Sequence, residues 1–281
     1  MYLLINLFIF ILVLIMDIIF HPDMRWPTLL NYMYQNTTDY NYCYQPNIFK
    51  YKSINDKYLI PLEDVFASEL CEFKNKYRDN NYKFMTCNEK HIIDNLSNKV
   101  NLSKHQLQEF LPTTYSFDTI KYPCIVKLDI GGYSEGVFKI NDNSGLTQLL
   151  NTNIQRSKIN IDYIIQEAIL GNKEYSTQFL VSNGKIIFHS SYYCIYYDNL
   201  FVWPHDKIKH TTHYDLDENS TIFNTFQMFF TNYNGLINCN YKIIDNKLKI
   251  FEFNPRLSGD IYYIKKKDIK RLIDLYCKYS V

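Results

Sequence analysis

Glycine is scarce in this chain, 8 residues in 281. None of them forms the G-x-G-x-x-G turn of a dinucleotide-binding strand and helix, so the N-terminal α/β stretch is assigned no cofactor. No two cysteines stand as C-x-x-C. The seven (Cys43, Cys71, Cys87, Cys124, Cys194, Cys239 and Cys277) are odd in number and scattered through apparent strands and helices. Buried thiols in a reducing, cytoplasmic compartment fit them better than a disulfide framework. An excess of either charge is missing too: 30 Lys and Arg stand against 29 Asp and Glu, a net charge of +1. A nucleic-acid partner held by phosphate neutralisation is therefore not expected. Repeats and low-complexity linkers are absent. At 47% hydrophobic and 21% charged residues the chain is not a disordered one. Its 26 Tyr and 19 Phe, alongside abundant Asn, Ile and Lys, have the look of low-GC coding bias, so aromatic richness alone is no functional signal.

The N-terminus carries one long apolar run. Residues 1–20 are apolar except for Asn6 and Asp17, about the length of a membrane span. No basic region precedes them and no small-residue cleavage site follows, which argues against a cleaved signal peptide. Two readings stay open. Either the run is an anchor, the sole route to a membrane, or residues 1–15 are an extension and Asp17-Ile18-Ile19-Phe20 is the first buried strand. In the second reading Arg25-Trp26-Pro27 opens a helix with proline in its first turn.

Beyond Phe20, helix signals cover about 26–35, and strands are expected over 40–45 and Lys57–Ile60. Glu63–Tyr77 reads as a helix with Val65, Phe66, Leu70 and Phe73 at helical spacing, and Tyr82–Met85 as a strand. This alternation predicts a small parallel sheet. Two short helices are expected near 89–97 and 103–110. From Pro112 onward hairpins dominate. Ile125–Lys127 and Val137–Ile140 flank a loop, Gly131–Gly136, and Asn183-Gly184 joins Gln178–Val181 to Ile186–Phe188 as a type I′ turn. Asp245-Asn246 joins Asn240–Ile244 to Leu248–Phe253 in the same way. Helices close the pattern at about 217–231 and at Lys266–Tyr279.

Three constellations carry chemistry. Lys127 ends the apolar strand Tyr122-Pro123-Cys124-Ile125-Val126 and stands before Gly131, Gly132, Ser134 and Gly136. A cation beside free backbone N–H groups suits a phosphate; the plainer reading is an exposed strand lysine next to a turn. The run Gln166-Glu167-Ala168-Ile169-Leu170-Gly171 leaves a strand with backbone groups available to an adenine edge. Seven residues past Glu167, Glu174 is able to accept from ribose hydroxyls, although a surface loop with two carboxylates explains the same residues. In Phe251-Glu252-Phe253-Asn254-Pro255-Arg256, period two puts Glu252 and Asn254 on one face. Two hard oxygen donors there suit Mg²⁺ (or Mn²⁺) shared with phosphate, and Asn240 on the preceding hairpin arm adds a third. Arg256, just past the strand, is placed to meet charge on a transferred phosphoryl group.

Together "YPCIVKLDIGGYSEGVFKI", "IIQEAILGNKEYSTQFLVSNGKI" and "GLINCNYKIIDNKLKIFEFNPRLSG" resemble, in order and spacing from about 95 to 260, the ATP-grasp superfamily. The similarity is to its carbamoyl-phosphate-synthetase-like and carboxylate–amine ligase branches in particular. The resemblance implies an α+β ATP-grasp fold behind a truncated Rossmann-like, pre-ATP-grasp α/β domain. Their expected bounds are 16–95 and 96–281, with a lid lobe near 112–170. It further implies ATP and magnesium as cofactors and small-molecule carboxylate and amine substrates. By residue, it implies Lys127 and Lys99 at phosphates, Glu167, Ala168 and Ile169 at the adenine hinge and Glu174 at the ribose. Asn240, Glu252 and Asn254 fall at magnesium, and Arg256 at the transferred phosphate. Asn240 stands where many members carry an acid.

His205, His210 and His213 follow no regular zinc spacing; a solvated loop or substrate-facing residues account for them better. Two rivals to an ATP-dependent ligase remain: a non-catalytic nucleotide-binding module, and a membrane-tethered interaction protein suggested by residues 1–20.

Overall fold

The computed structural model describes residues 16–21, 33, 40–44, 57–128, 136–151, 163–202 and 205–281, with the backbone alone for 16–21 and 40–44. Strands β1 (Met16–His21), β2 (Tyr40–Tyr44), β3 (Lys57–Pro61) and β4 (Tyr82–Lys83) form a sheet in the order β2-β1-β3-β4. All three pairings are parallel. The strand expected at Asp17–Phe20 is thus present, with Ile18 between Tyr42 and Tyr58. Tyr58, Leu59, Ile60 and Pro61 are buried without alternation, the mark of a parallel strand covered on both faces. Of the helix expected over 26–35, Met33 is helical and the remainder lies outside the described residues, as do residues 1–15.

The helix expected over Glu63–Tyr77 is two helices, α1 (Asp64–Glu72) and α2 (Lys74–Asp79), which meet at Phe73. Phe66 and Leu70 face the core, but Val65 and Phe73 are exposed; Ala67, Cys71 and Tyr77 fill the inner face instead. Helix α3 (Lys90–Ser97) forms as expected, and α4 (Lys99–Leu102) follows behind Asn98, whose side chain accepts from the Asn101 amide at 2.8 Å. No helix forms over 103–110 beyond a 3-10 turn at Gln108–Phe110. The cause is local: the Leu107 amide donates to Nδ1 of His105 (3.2 Å), and that ring stacks on Phe229 at 4.7 Å. A side-chain acceptor has displaced the helical ladder.

Strands β5 (Thr114–Tyr115), β6 (Cys124–Leu128), β7 (Val137–Ile140) and β8 (Tyr163–Glu167) make a second sheet, antiparallel throughout, in the order β5-β8-β6-β7. Helix α5 (Asn143–Leu149), capped by Asp142, closes over Cys124, Val126, Ile140 and Ile165. The third and largest sheet contains β9 (Lys173–Ser182), β10 (Lys185–Tyr196), β11 (Ile208–Tyr214), β12 (Gly235–Ile244) and β13 (Lys247–Asn254) in the order β11-β10-β9-β12-β13. Helix α6 (Thr221–Phe229), capped by Ser220, covers one face of it, and α7 (Lys266–Tyr279) packs with the other.

Period two divides the residues of this sheet cleanly. Tyr175, Phe179, Val181, Ile237, Cys239 and Tyr241 bury under α6. Glu174, Ser176, Tyr192, Cys194, Tyr196, Asn238, Asn240 and Lys242 turn to the opposite face and line a cavity. On β13 the parity changes within the strand. Leu248 and Ile250 pack under α6, yet so does Phe253. Asn240 pairs with Glu252 and Tyr241 with Ile250, so Phe251 is an unpaired bulge residue. Such a bulge re-aims the strand beyond it, and here it turns Glu252 and Asn254 from the helix-covered face to the cavity.

Candidate active site

A cavity of about 340 Å³ lies between the second and third sheets, and its rim reaches Asp64 on α1 and Lys99 on α4. Of the residues singled out in the sequence, Lys99, Lys127, Glu167, Ile169, Glu174, Asn240, Glu252, Asn254 and Arg256 line it. Gly136, at φ 83°, and Ala168 are described but do not. Gly131, Gly132 and Ser134 lie outside the described residues.

Lys127 is buried, and from β6 its Nζ spans the cavity to donate to the carbonyl of Phe251 at 3.1 Å. The bulge therefore presents both a carbonyl to Lys127 and the Glu252 carboxylate beside it. Burial pulls Lys127 down from the usual lysine range to about 8, with Glu252 opposing the shift and Lys99 adding to it. Two lysines that repel one another around an enclosed space favour an anion between them.

Across the sheet one row runs Tyr192, Ser176, Asn240, Glu252 by direct pairing. Asn240 Nδ2 donates to Glu174 Oε1 (3.2 Å), and Asn254 Nδ2 to Glu252 Oε1 (3.4 Å). Glu174, expected at a ribose, thus stands next to the residues expected at a metal. Burial raises its carboxyl well above the usual range, and the charge of Glu252 pushes it further up. Two carboxylates and two amides in one desolvated corner form a hard-oxygen donor set, which fits a divalent cation. Among the described residues no group of three or more His, Cys, Asp or Glu side chains gathers as a metal site, this corner included, and His205, His210 and His213 are exposed.

Glu167 is held by Thr113: its carboxylate accepts from the Thr113 amide (3.2 Å) and hydroxyl (3.0 Å). The segment after it is gripped by a residue the sequence reading passed over. Lys242 donates to the Ile169 carbonyl at 2.7 Å, lies 4.2 Å from the centre of the Phe201 ring, and is lowered by burial against the pull of Glu174. A signal for it existed, since Lys242 is two residues past Asn240 on the same strand face.

Arg256 is more constrained than its sequence position suggests. Its Nε donates to Asp64 Oδ1 at 3.0 Å, one terminal nitrogen to the Leu257 carbonyl (3.3 Å) and the other to Asn254 Oδ1 (3.3 Å). Each terminal nitrogen keeps a second N–H. Asp64 was also missed. An acidic residue in the first turn of a helix reads as an ordinary complement to the helix dipole, and its partner is 192 residues away.

No family model matches this sequence, and no curated protein matches it. Solved structures do match in shape. A D-alanine–D-alanine ligase from Bacillus anthracis is 14% identical, with 94% of this chain and 97% of that one covered at a TM-score of 0.62. A biotin carboxylase from Campylobacter jejuni, solved as a β,γ-ATP complex, is 15% identical over 93% of this chain and 71% of that one, at 0.56. An L-amino acid ligase from Bacillus licheniformis is 12% identical over 89% and 70%, at 0.54. The fold these structures share with the chain is the ATP-grasp fold.

Proposed function

On this ATP-grasp fold, we propose that the chain is an ADP-forming ligase. It binds Mg-ATP in the cavity, transfers the terminal phosphoryl group to a carboxylate, and lets an amine displace phosphate from the acylphosphate. The observation that carries the reading is the meeting of two charge sets at one cavity. Lys127 and Lys99 approach from outside the large sheet, while Glu174, Asn240, Glu252 and Asn254 stand on its face. The similar structures are ligases and a carboxylase, one of them solved with an ATP compound, which agrees with this assignment.

In this reading Lys127 and Lys99 hold inner phosphates, and the chain from Glu167 to Ile169 receives the adenine edge beneath Phe201 and Phe251. Glu252, Asn254, Asn240 and Glu174 would hold magnesium, which supplies charge neutralisation on the phosphate oxygens when bound. Arg256 offers its two remaining terminal N–H groups to the moving phosphoryl group, with Asp64 fixing the plane of the guanidinium. Little covalent work falls to the protein in such a transfer; position and field account for most of it. We assign residues 16–95 to the pre-ATP-grasp domain and 96–281 to the ATP-grasp module, with its lid lobe at about 112–170. Cys71, Cys87, Cys124, Cys194 and Cys239 are buried free thiols, in keeping with a reducing compartment.

The test is incubation with ATP, Mg²⁺, a pool of carboxylates and hydroxylamine, which traps acylphosphates as hydroxamates. ADP with hydroxamate is the expected outcome. AMP with pyrophosphate overturns the mechanism, and tight nucleotide binding with no turnover favours the non-catalytic module instead.

A further inference from the structure

Five carboxylates line the cavity, and four have an evident assignment. Asp64 holds Arg256, Glu167 is bonded to Thr113, Glu174 faces Lys242 and Asn240, and Glu252 stands beside Lys127. The fifth, Asp260, has none. Its Oδ2 accepts from the Tyr192 hydroxyl at 2.9 Å, and among the described residues Oδ1 has no hydrogen bond. The nearest cationic influence is Arg256, whose guanidinium is already engaged by Asp64, Asn254 and the Leu257 carbonyl.

The support beneath Asp260 is rigid. Its amide donates to Ser258 Oγ (3.1 Å), and the Ser258 amide donates to Oε1 of buried Gln178 (2.7 Å), a residue of the sheet itself. Around the carboxylate stand phenol rings. Tyr192 and Tyr263 both line the cavity, their centroids 5.2 Å apart. Asp260 is desolvated by burial, and a carboxylate so placed, with two phenol side chains lining the same end of the cavity, is complementary to an organic cation through its charge. A second carboxylate substrate is disfavoured there by Asp260 and Glu252 together. A hard metal ion would find one acidic oxygen pair and phenols, too few oxygens of the right kind.

We infer that the Asp260 end of the cavity binds the ammonium group of an amine substrate, with Tyr192 and Tyr263 as its walls. The inference rests on the ligase reading for its place in the reaction, since it sets the amine beside Arg256. The recognition itself is a binding property measurable without turnover.

The experiment uses the full chain with Mg-ATP and four probes. These are methylammonium, tyramine, its N-trimethylated form, and tyrosol, the neutral analogue of tyramine, each titrated by calorimetry against wild type, Asp260→Asn and Asp260→Ser. Wild type should bind one or more of the cations at least tenfold more tightly than tyrosol. Both variants should lose that preference while ATP affinity stays within twofold; the serine variant serves if the asparagine one does not fold. Equal affinity for tyramine and tyrosol with no response to methylammonium overturns the inference, as does a preference that survives both variants. Hydroxamate and ADP formation on the same preparations separates the two readings. Turnover without ammonium selectivity removes this inference and leaves the ligase. Ammonium selectivity without ADP formation does the reverse.

Discussion

A lysine enclosed by a protein is a poor contributor to stability, and Lys127 is enclosed. Below pH 8 it is charged both in the folded chain and in the unfolded one, so the folded state alone bears the desolvation. Between about 8 and the ordinary value of 10.5 the unfolded chain binds more protons, and stability rises with pH. Lys127→Met should therefore raise the melting temperature of the nucleotide-free protein at pH 7, and by a smaller margin at pH 9. The same change should weaken ATP binding by about 1.5–3 kcal/mol, the worth of a charged hydrogen bond. Melting curves at both pH values, with ATP titrations, check the pair of outcomes; a destabilised variant with normal affinity would mark Lys127 as structural. Asp64→Asn tests the other side of the site. The pair with Arg256 is partly exposed, 39% and 21% for the two side chains, so its loss should cost only about 1 kcal/mol of stability. Turnover should fall tenfold or more with ATP affinity unchanged, because the guanidinium loses its fixed plane. Lys127, Glu252 and Asn254 were legible because a polar residue on an apolar strand demands a reason. Asp64 and Asp260 were not: each is ordinary in its own neighbourhood and acquires meaning only from residues far away in the chain.

At the scale of elements, the sequence spoke most clearly where the backbone has few choices. Asn183, Gly184, Asp245 and Asn246 all adopt positive φ, at 48°, 78°, 50° and 61°, which is what two-residue hairpin turns of type I′ require. Both hairpins were therefore readable. The helix expected at 103–110 failed because the competing acceptor, His105 Nδ1, is invisible to periodicity. The bulge at Phe251 was hidden for a subtler reason. Alternation within the strand correctly paired Glu252 with Asn254, yet continued back to Ile250 and Leu248 it would bury both polar residues under α6. Only the extra residue reconciles the hydrophobic pattern with the site. Gly184 gives the sharpest test of the hairpin geometry. A Cβ there would lie 2.0 Å from the Thr231 carbonyl oxygen, at a φ that disfavours any side chain. Gly184→Ala should destabilise by about 2–3 kcal/mol, whereas Asn183→Gly at the preceding position should stay within about 0.5 kcal/mol. Urea unfolding of the two variants distinguishes a strained turn from a merely flexible one.

The whole molecule is knit by its C-terminal helix. Ile269, Leu272, Ile273 and Tyr276 of α7 share one core with Tyr58, Ile60 and Leu62 of the parallel-sheet region and with Leu180 and Leu236 of the large sheet. The N-terminal sheet is thus packed into the same interior that backs the cavity-lining face. One phenol concentrates this connection. The Tyr276 hydroxyl donates to the Leu59 carbonyl (2.5 Å) and accepts from the Met85 amide (3.3 Å), joining helix, β3 and the segment after β4 in full burial. Backbone bonds continue the seam: Leu257 N–H to the Pro61 carbonyl (3.0 Å), and a reciprocal pair between Val281 and Phe84 (3.4 Å each way). The first of these lies one residue past Arg256, and the strand that supplies Pro61 leads into α1 and Asp64. Tyr276→Phe keeps the ring and its packing but leaves a buried carbonyl and a buried amide without their partner, at a cost of about 1–3 kcal/mol. Because the core is shared, unfolding should stay a single transition with an unchanged dependence on denaturant and a lower midpoint. The loosened seam should also reach the site unequally. Asp64 is carried by the N-terminal unit and Lys127 by the second sheet, so turnover should drop while ATP affinity holds. Urea titration followed by both tyrosine fluorescence and far-UV circular dichroism reads the cooperativity, and ATP titration reads the affinity. Two separated transitions in the variant would show instead that the parallel sheet and the large sheet hold independent cores.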